Sequence, residues 1–351
     1  MSEPPRLTSV ADALAPLLAS LKPVGVTRIA MAETLGRVAA EPVRAAGPVP
    51  SDAIALRDGI AVAAASLVGA SPYAPVVLAE PPPPIRSGEA LPPATDAVIP
   101  AAAATMSGPF IEIGQAAYPG EQVALAGSDL AREALILGRG MTVTPEIRLA
   151  LAMAGIAEIA VLNGRFAIVP SGDPATRGWL AARLGALGLI EVQRAEADLT
   201  LCLGEGDVPA TGPAASSAIR GLALRPGEAS GTAVRADGRA VILLPGRFDG
   251  AVAAFYALVL PVVAGLTGRA INARTLPLTA KISSAIGCID VALLRVVGGG
   301  YEPLSVGQVT LQALLEAEAV ALIPPESEGA GAGTPLAAIP IDTPLIPGPG
   351  A

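Results

Sequence analysis

The sequence predicts a multidomain α/β and β protein, and three observations carry that prediction. From Arg165 to Gly268 apolar β-type runs alternate with helical runs, the pattern of strand–helix–strand units in a parallel sheet. Between Val43 and Ile136 short β-branched segments alternate instead with Pro and Gly turns, the texture of a β-rich domain. At 351 residues the chain is also too long for one ordinary core.

In chain order, Thr8 or Ser9 can cap a helix with the apolar stripe Val10, Leu14, Leu17, Leu18 and Leu21. A second helix is expected from Met31 to Ala40, with Pro42 stopping it. Strands are expected at Ile60–Val62, Val76–Leu78, Val98–Ile99, Phe110–Ile113 and Val123–Leu125. Thr144-Pro145-Glu146 opens a helix facing Ile147, Leu151 and Ala154 inward, closed by Gly155 and followed by a strand at Ile156–Val161. Phe166–Val169, a turn at Ser171-Gly172-Asp173, a helix over Ala175–Leu187 and a strand at Asp198–Leu203 begin the α/β unit. Ala240–Leu244, the turn Pro245-Gly246-Arg247 and a long apolar helix from Asp249 complete it, and its ligand is expected beyond the carboxyl ends of the strands. Strands at Leu278–Ile282, Ile289–Val297, Val320–Ile323 and Leu336–Ile341, with a short helix near Val309–Leu315, suit a small β-rich C-terminal domain and a Pro/Gly tail.

Composition narrows the chemistry. The chain has no histidine, which removes imidazole acid–base catalysis, His-based triads and His metal ligands together. Cys202 and Cys288 lie far apart in apolar runs and are expected to be buried thiols, not a disulfide or metal pair. Lysine occurs only at Lys22 and Lys281, so arginine carries the positive charge. A net charge of −8 with no basic cluster argues against a nucleic-acid partner. The uncharged run Gly250–Gly268 is long enough to raise a membrane question, but Pro261 interrupts it and Asp249 and Arg269 bracket it. A buried helix, no membrane association and a cytoplasmic location are expected.

The short polar loops are the distinctive feature: Arg57-Asp58-Gly59-Ile60-Ala61-Val62, Ile85-Arg86-Ser87-Gly88 and Gly127-Ser128-Asp129-Leu130, lying between Leu35-Gly36-Arg37-Val38 and Pro145-Glu146-Ile147. With Ser171-Gly172-Asp173, Arg225-Pro226-Gly227 and Leu244-Pro245-Gly246 downstream, the chain resembles the molybdopterin molybdenumtransferase family almost end to end, as a shortened and divergent member. The resemblance implies an elongated molecule with a helical linker domain (1–45 and 139–162), an inserted β-rich domain (46–138), a shortened parallel-sheet molybdopterin-binding domain (163–271), a C-terminal β domain (272–345) and a tail (346–351). It also implies insertion of molybdate into molybdopterin, with Mg2+, at a site between the sheet domain of one subunit and the inserted domain of the other.

Carried over residue by residue, the resemblance implies catalytic roles for Asp58, Ser87, Asp129 and Asp173, with Asp58 and Asp173 holding the metal. Gly172, Gly204, Gly206, Arg225, Gly227, Pro245, Gly246 and Arg247 would bind the cofactor. Beside these roles, Asp58 and Ser87 also read as ordinary turn residues, and Arg225 and Arg247 as solvated turn arginines. The family's residues are not all kept. Its Asn-Ser-Ala-Met before the aspartate is Ile54-Ala55-Leu56-Arg57, and its arginines before the third loop are Ala124 and Leu125. Glu205, Asp207 and Glu228 stand where it has neutral or positive groups and oppose an anionic ligand by roughly 1–4 kcal/mol per close pair. A homodimer is expected, or a heterodimer in which this chain's Asp58, Ser87 and Asp129 meet a complete relative's pterin cradle. The alternative is a catalytically degenerate partner or cofactor-delivery subunit of a molybdenum or tungsten enzyme.

Overall fold

The computed structural model describes residues 7–169, 173–204 and 218–348. The fold is mixed α/β, with many short strands and few helices: α1 (Val10–Ser20), α2 (Pro145–Met153), α3 (Pro174–Ala186), α4 (Phe248–Thr267) and α5 (Leu311–Glu316). Contacts divide the chain into two compact units, one formed by Met1–Pro42, Gly138–Pro145 and Glu158–Ala351 and the other by Val43–Leu137 and Glu146–Ala157.

The larger unit is built on a six-stranded sheet in the order Ile190–Glu191, Arg165–Val169, Leu199–Leu203, Ala240–Leu244, Gly231–Val234, Ile219–Arg220. The first four strands are parallel, as the alternating pattern predicts, but Gly231–Val234 runs against its neighbours, so the sheet is mixed. Leu199, Leu201, Leu203, Ala240, Ile242 and Leu244 face the main core, where α1, α3 and α4 pack. Burying such side chains stabilises by roughly 1.5–3 kcal/mol each. α4 is long and apolar enough to cross a membrane, yet 83% of its apolar window is buried inside this unit. Pro261 lacks the N–H that would return to Ala257, and the preceding turn, Phe255–Val259, widens to a π-helix.

α1 is capped by Ser9, whose Oγ accepts from Asp12 N at 3.0 Å and donates to Asp12 Oδ2 at 2.7 Å. Its buried face is Val10, Ala13, Leu14 and Leu17, while the expected Leu18 is 40% exposed. The expected helix over Met31–Ala40 is corrected. Only a 3₁₀ turn at Met31–Glu33 forms, Gly36 turns left-handed at φ 76°, and Val38 and Ala39 are drawn into bridges with Thr142 and Val161. Tertiary strand pairing overrides local helix propensity here. A second sheet joins Leu224–Arg225, Ile289–Val297, Ala319–Ile323, Pro335–Pro340 and Arg274–Pro277, with Gly300–Val306 also on Ile289–Val297. The strand expected at Leu278–Ile282 is broken: Leu278 makes only an isolated bridge to Tyr301, residues 279–281 are irregular, and Ile282 begins the short strand Ile282–Ser283. Leu345–Ile346 pairs with Ala270–Ile271, so ordered structure reaches past the start of the expected tail.

The smaller unit is built of short antiparallel pairs with α2 and 3₁₀ turns at Ala64–Leu67 and Ala101–Ala103. Gly59–Val62 lies between Pro84–Ile85 and Ala97–Ile99, and Phe110–Ile113 between Val76–Leu78 and Ala104–Ser107. Period-two alternation divides its core, with Ile60, Val62, Ile99 and Ile113 in one cluster and Ala61, Val98 and Ile85 in another.

Candidate functional site

In the smaller unit the Asp58 and Ser87 loops are laced together. The Ser87 N–H donates to Asp58 Oδ1 at 2.9 Å, and Ser87 Oγ donates to the Leu56 carbonyl at 3.0 Å. Gly88 N donates to Ala55 O and Ala55 N to Glu89 O, at 2.8 and 2.9 Å. Gly59, next to Asp58, packs its backbone tightly on the neighbouring strand, where a Cβ would sit 2.3 Å from the Ile99 carbonyl oxygen. Both side chains are exposed, and Asp58 Oδ2 carries no hydrogen bond among the described residues.

Asp129 is also exposed. Its N–H and that of Leu130 donate to the Val49 carbonyl, each at 3.0 Å, while Ser128 Oγ reaches its carboxylate at 3.5 Å. Asp129 shares no hydrogen bond with the Asp58–Ser87 pair among the described residues. Leu56 and Leu125, which stand where the sequence departs from polar residues, are 54% and 61% exposed.

In the larger unit, four predicted cofactor residues converge at the carboxyl edge of the sheet. Leu199–Leu203 ends at Gly204, whose N–H donates to the Leu244 carbonyl at 2.9 Å. A Cβ on Gly246 would lie 3.3 Å from Gly204 Cα, and one on Gly250 would lie 2.8 Å from Pro245 Cγ and 3.5 Å from Gly227 Cα. Gly204, Pro245, Gly246 and Gly227 are therefore packed closely around the N-terminus of α4, a place where peptide N–H groups favour anions. Arg247 is the N-cap residue of α4, with a side chain 79% exposed that pairs with Asp249 at 3.3 Å.

Two carboxylates already accept from backbone N–H groups on this edge. Glu228 Oε2 accepts from the Gly227 N–H at 3.1 Å, and Asp249 Oδ1 from the Gly250 N–H at 2.9 Å. Arg225 is held by Asp290, with Nε to Oδ1 at 2.7 Å and Nη2 to Oδ2 at 2.6 Å. The hydrogen bond to Asp290 is the main cause that raises the Arg225 pKa above its ordinary value. Gly172, Gly206, Glu205 and Asp207 lie outside the described residues.

Asp173 is the N-cap of α3. Its Oδ2 accepts from Thr176 N at 2.9 Å and Thr176 Oγ1 at 3.0 Å, and these bonds, the backbone one first, lower its pKa. The described residues form no group of three or more Asp, Glu, Cys or His able to share a metal. Cys202 is buried, which raises its thiol pKa, whereas Cys288 is only partly buried; both are free thiols.

The sequence did not single out Asp290, which is fully buried, or Ser284, which donates to it at 2.8 Å. An aspartate opening an apolar strand, Cys288-Ile289-Asp290-Val291, was the available signal.

Residues 8–155 match the family model for the MoeA N-terminal region, domains I and II. A protein of Methanocaldococcus jannaschii named "Putative molybdopterin biosynthesis protein" is 29% identical over 160 residues, 42% of this chain and 39% of that protein. The match thus spans about two-fifths of the curated relative. A Pyrococcus horikoshii molybdopterin biosynthesis MoeA structure covers 95% of this chain and 99% of its own at 23% identity and a TM-score of 0.66. A Pyrococcus furiosus molybdenum cofactor biosynthesis protein covers 95% and 100% at 17% identity and a TM-score of 0.58. The chain is MoeA-like, in sequence over its N-terminal region and in fold over nearly its whole length.

Proposed function

We propose that this chain acts in molybdenum cofactor biosynthesis as a molybdopterin molybdenumtransferase-type protein that binds molybdopterin. The observation that carries this reading is the convergence of Gly204, Pro245, Gly246 and Gly227 at the α4 N-terminus, a backbone edge suited to a phosphate-bearing pterin. Arg247 supplies an exposed cation there. Asp58 offers a carboxylate oxygen and Ser87 a hydroxyl as the polar pair of the other unit, suited to positioning molybdate. Calorimetric titration with molybdopterin, with and without molybdate and Mg2+, tests the reading. Binding at micromolar concentration or tighter, with conversion in a molybdate-insertion assay, is the expected result, and heat indistinguishable from buffer refutes it.

A second reading has its own support. Glu228 and Asp249 already occupy backbone N–H groups of the same edge, as in a relative whose cradle has closed on itself. Such a chain would work as a partner subunit, lending Asp58, Ser87 and Asp129 to a complete relative in a heterodimer. Light scattering of the chain alone and mixed with a MoeA protein separates the two: a stable mixed dimer whose activity falls on Asp58→Asn favours the partner role. A strict homodimer in the presence of the relative excludes it.

A further inference from the structure

Arg225 and Asp290 face one another in register, as partners in the parallel pairing of Leu224–Arg225 with Ile289–Val297. Asp290 has no exposed surface, and its carboxylate accepts four hydrogen bonds. Two come from Arg225, at 2.7 and 2.6 Å, one from Ser284 Oγ at 2.8 Å and one from Ala285 N at 3.2 Å. Gly307 closes the other side, since a Cβ there would lie 2.9 Å from Arg225 Nε and 3.0 Å from Asp290 Oδ1. A carboxylate this deeply buried and fully bonded is fixed in place, and a bidentate pair fixes the guanidinium plane with it. Arg225 nevertheless remains 39% exposed, and its Nη1 carries no hydrogen bond among the described residues. The next residues, Pro226 and Gly227, lead directly to the α4 edge.

We propose that Asp290 is a positioning residue: it orients Arg225 so that Nη1 is the one guanidinium nitrogen left for an oxyanion of the phosphate class. The proposal rests on the molybdopterin-binding reading and adds to it a residue from outside the sheet that bears the site. Asp290 does not touch the ligand; it acts through Arg225.

The test is a double-mutant cycle in affinity, on the full chain, with molybdopterin as probe and inorganic phosphate as competitor. Arg225→Gln and Asp290→Asn are each expected to weaken binding about tenfold, the worth of one charge-assisted hydrogen bond. In the Arg225→Gln background Asp290→Asn should add nothing to that loss, even where it lowers the melting temperature further. Ser284→Ala removes one donor from Asp290 and serves if Asp290→Asn does not fold; it should weaken binding about threefold only while Arg225 is present. Equal affinity of Asp290→Asn and the wild type overturns the positioning role and leaves the molybdopterin reading standing. Independent, additive losses overturn it too. No binding by the wild-type chain overturns both.

Discussion

At the scale of single residues, several groups expected to do chemistry also hold structure. Asp173 caps α3, and its folded pKa lies below the unfolded value because of Thr176. A carboxylate with a depressed pKa stabilises the fold fully above its unfolded value, about 3.9, and that contribution is lost as pH falls through the folded value. Asp173→Ala should therefore lower the melting temperature at pH 7, and the gap to wild type should close as the pH is taken down through the carboxylate range. A gap that persists unchanged in acid would refute the cap's electrostatic role. Arg269 is 9% exposed, and desolvation lowers its pKa to about 10. It spends that charge on the Leu187 and Leu345 carbonyls, at 3.2 and 3.1 Å. Arg269→Ala is expected to cost about 2 kcal/mol in urea unfolding, two charged hydrogen bonds partly offset by relief of a buried cation. Lysine cannot replace the fork, so Arg269→Lys should recover little of it.

At the scale of elements, the strands and turns were legible because period-two alternation and Pro/Gly punctuation are local signals. Ala240–Leu244 and Ile289–Val297 follow the sequence reading residue for residue. The Met31–Ala40 segment was misread because its partners, Thr142 and Val161, lie more than 100 residues away in sequence. The reversed strand Gly231–Val234 was equally invisible, since direction within a sheet leaves no mark on composition. Around the candidate site, the glycine positions were legible but the identity of their neighbours was not. The packing of the Pro245-Gly246 turn on α4 depends on Gly250, where a Cβ would meet Pro245 at 2.8 Å. Gly250→Val should destabilise by about 1–3 kcal/mol through overpacking and weaken any ligand of that edge, as read by denaturation and titration together. An unchanged protein would mean that the turn yields freely.

At the scale of the whole molecule, the two units have separate cores. Ile113 is fully buried in a cluster confined to the smaller unit, whereas Leu201 and Leu258 belong to the main core of the larger one. Ile113→Ala should cost about 2–5 kcal/mol within the smaller unit alone. Hydrogen exchange should then show lost protection at Gly59–Val62 and Phe110–Ile113, with Leu199–Leu203 and Ala240–Leu244 unchanged. Uniform loss across both units would mean that they unfold as one. The change of texture at Val43 and its end near Ile136 coincide with the limits of the smaller unit's main segment, Val43–Leu137. That the segment from Ile219 to Arg225 passes from one sheet to the other was not visible, because it is encoded in pairs with Gly231–Val234 and Ile289–Val297.

The pairing of Val26–Ala30 with Glu158–Leu162, and of α1 with Gly231–Val234, sets an order of events on the ribosome. The first helix emerges with an apolar face whose cover is more than 200 residues from being synthesised. At about 5–20 residues per second it waits on the order of 10 s or longer, while the inserted unit already has all its partners in hand. A nascent chain whose first 157 residues have just cleared the ribosome should thus carry a finished small unit and an unfinished amino terminus, the form of this protein most open to chaperones.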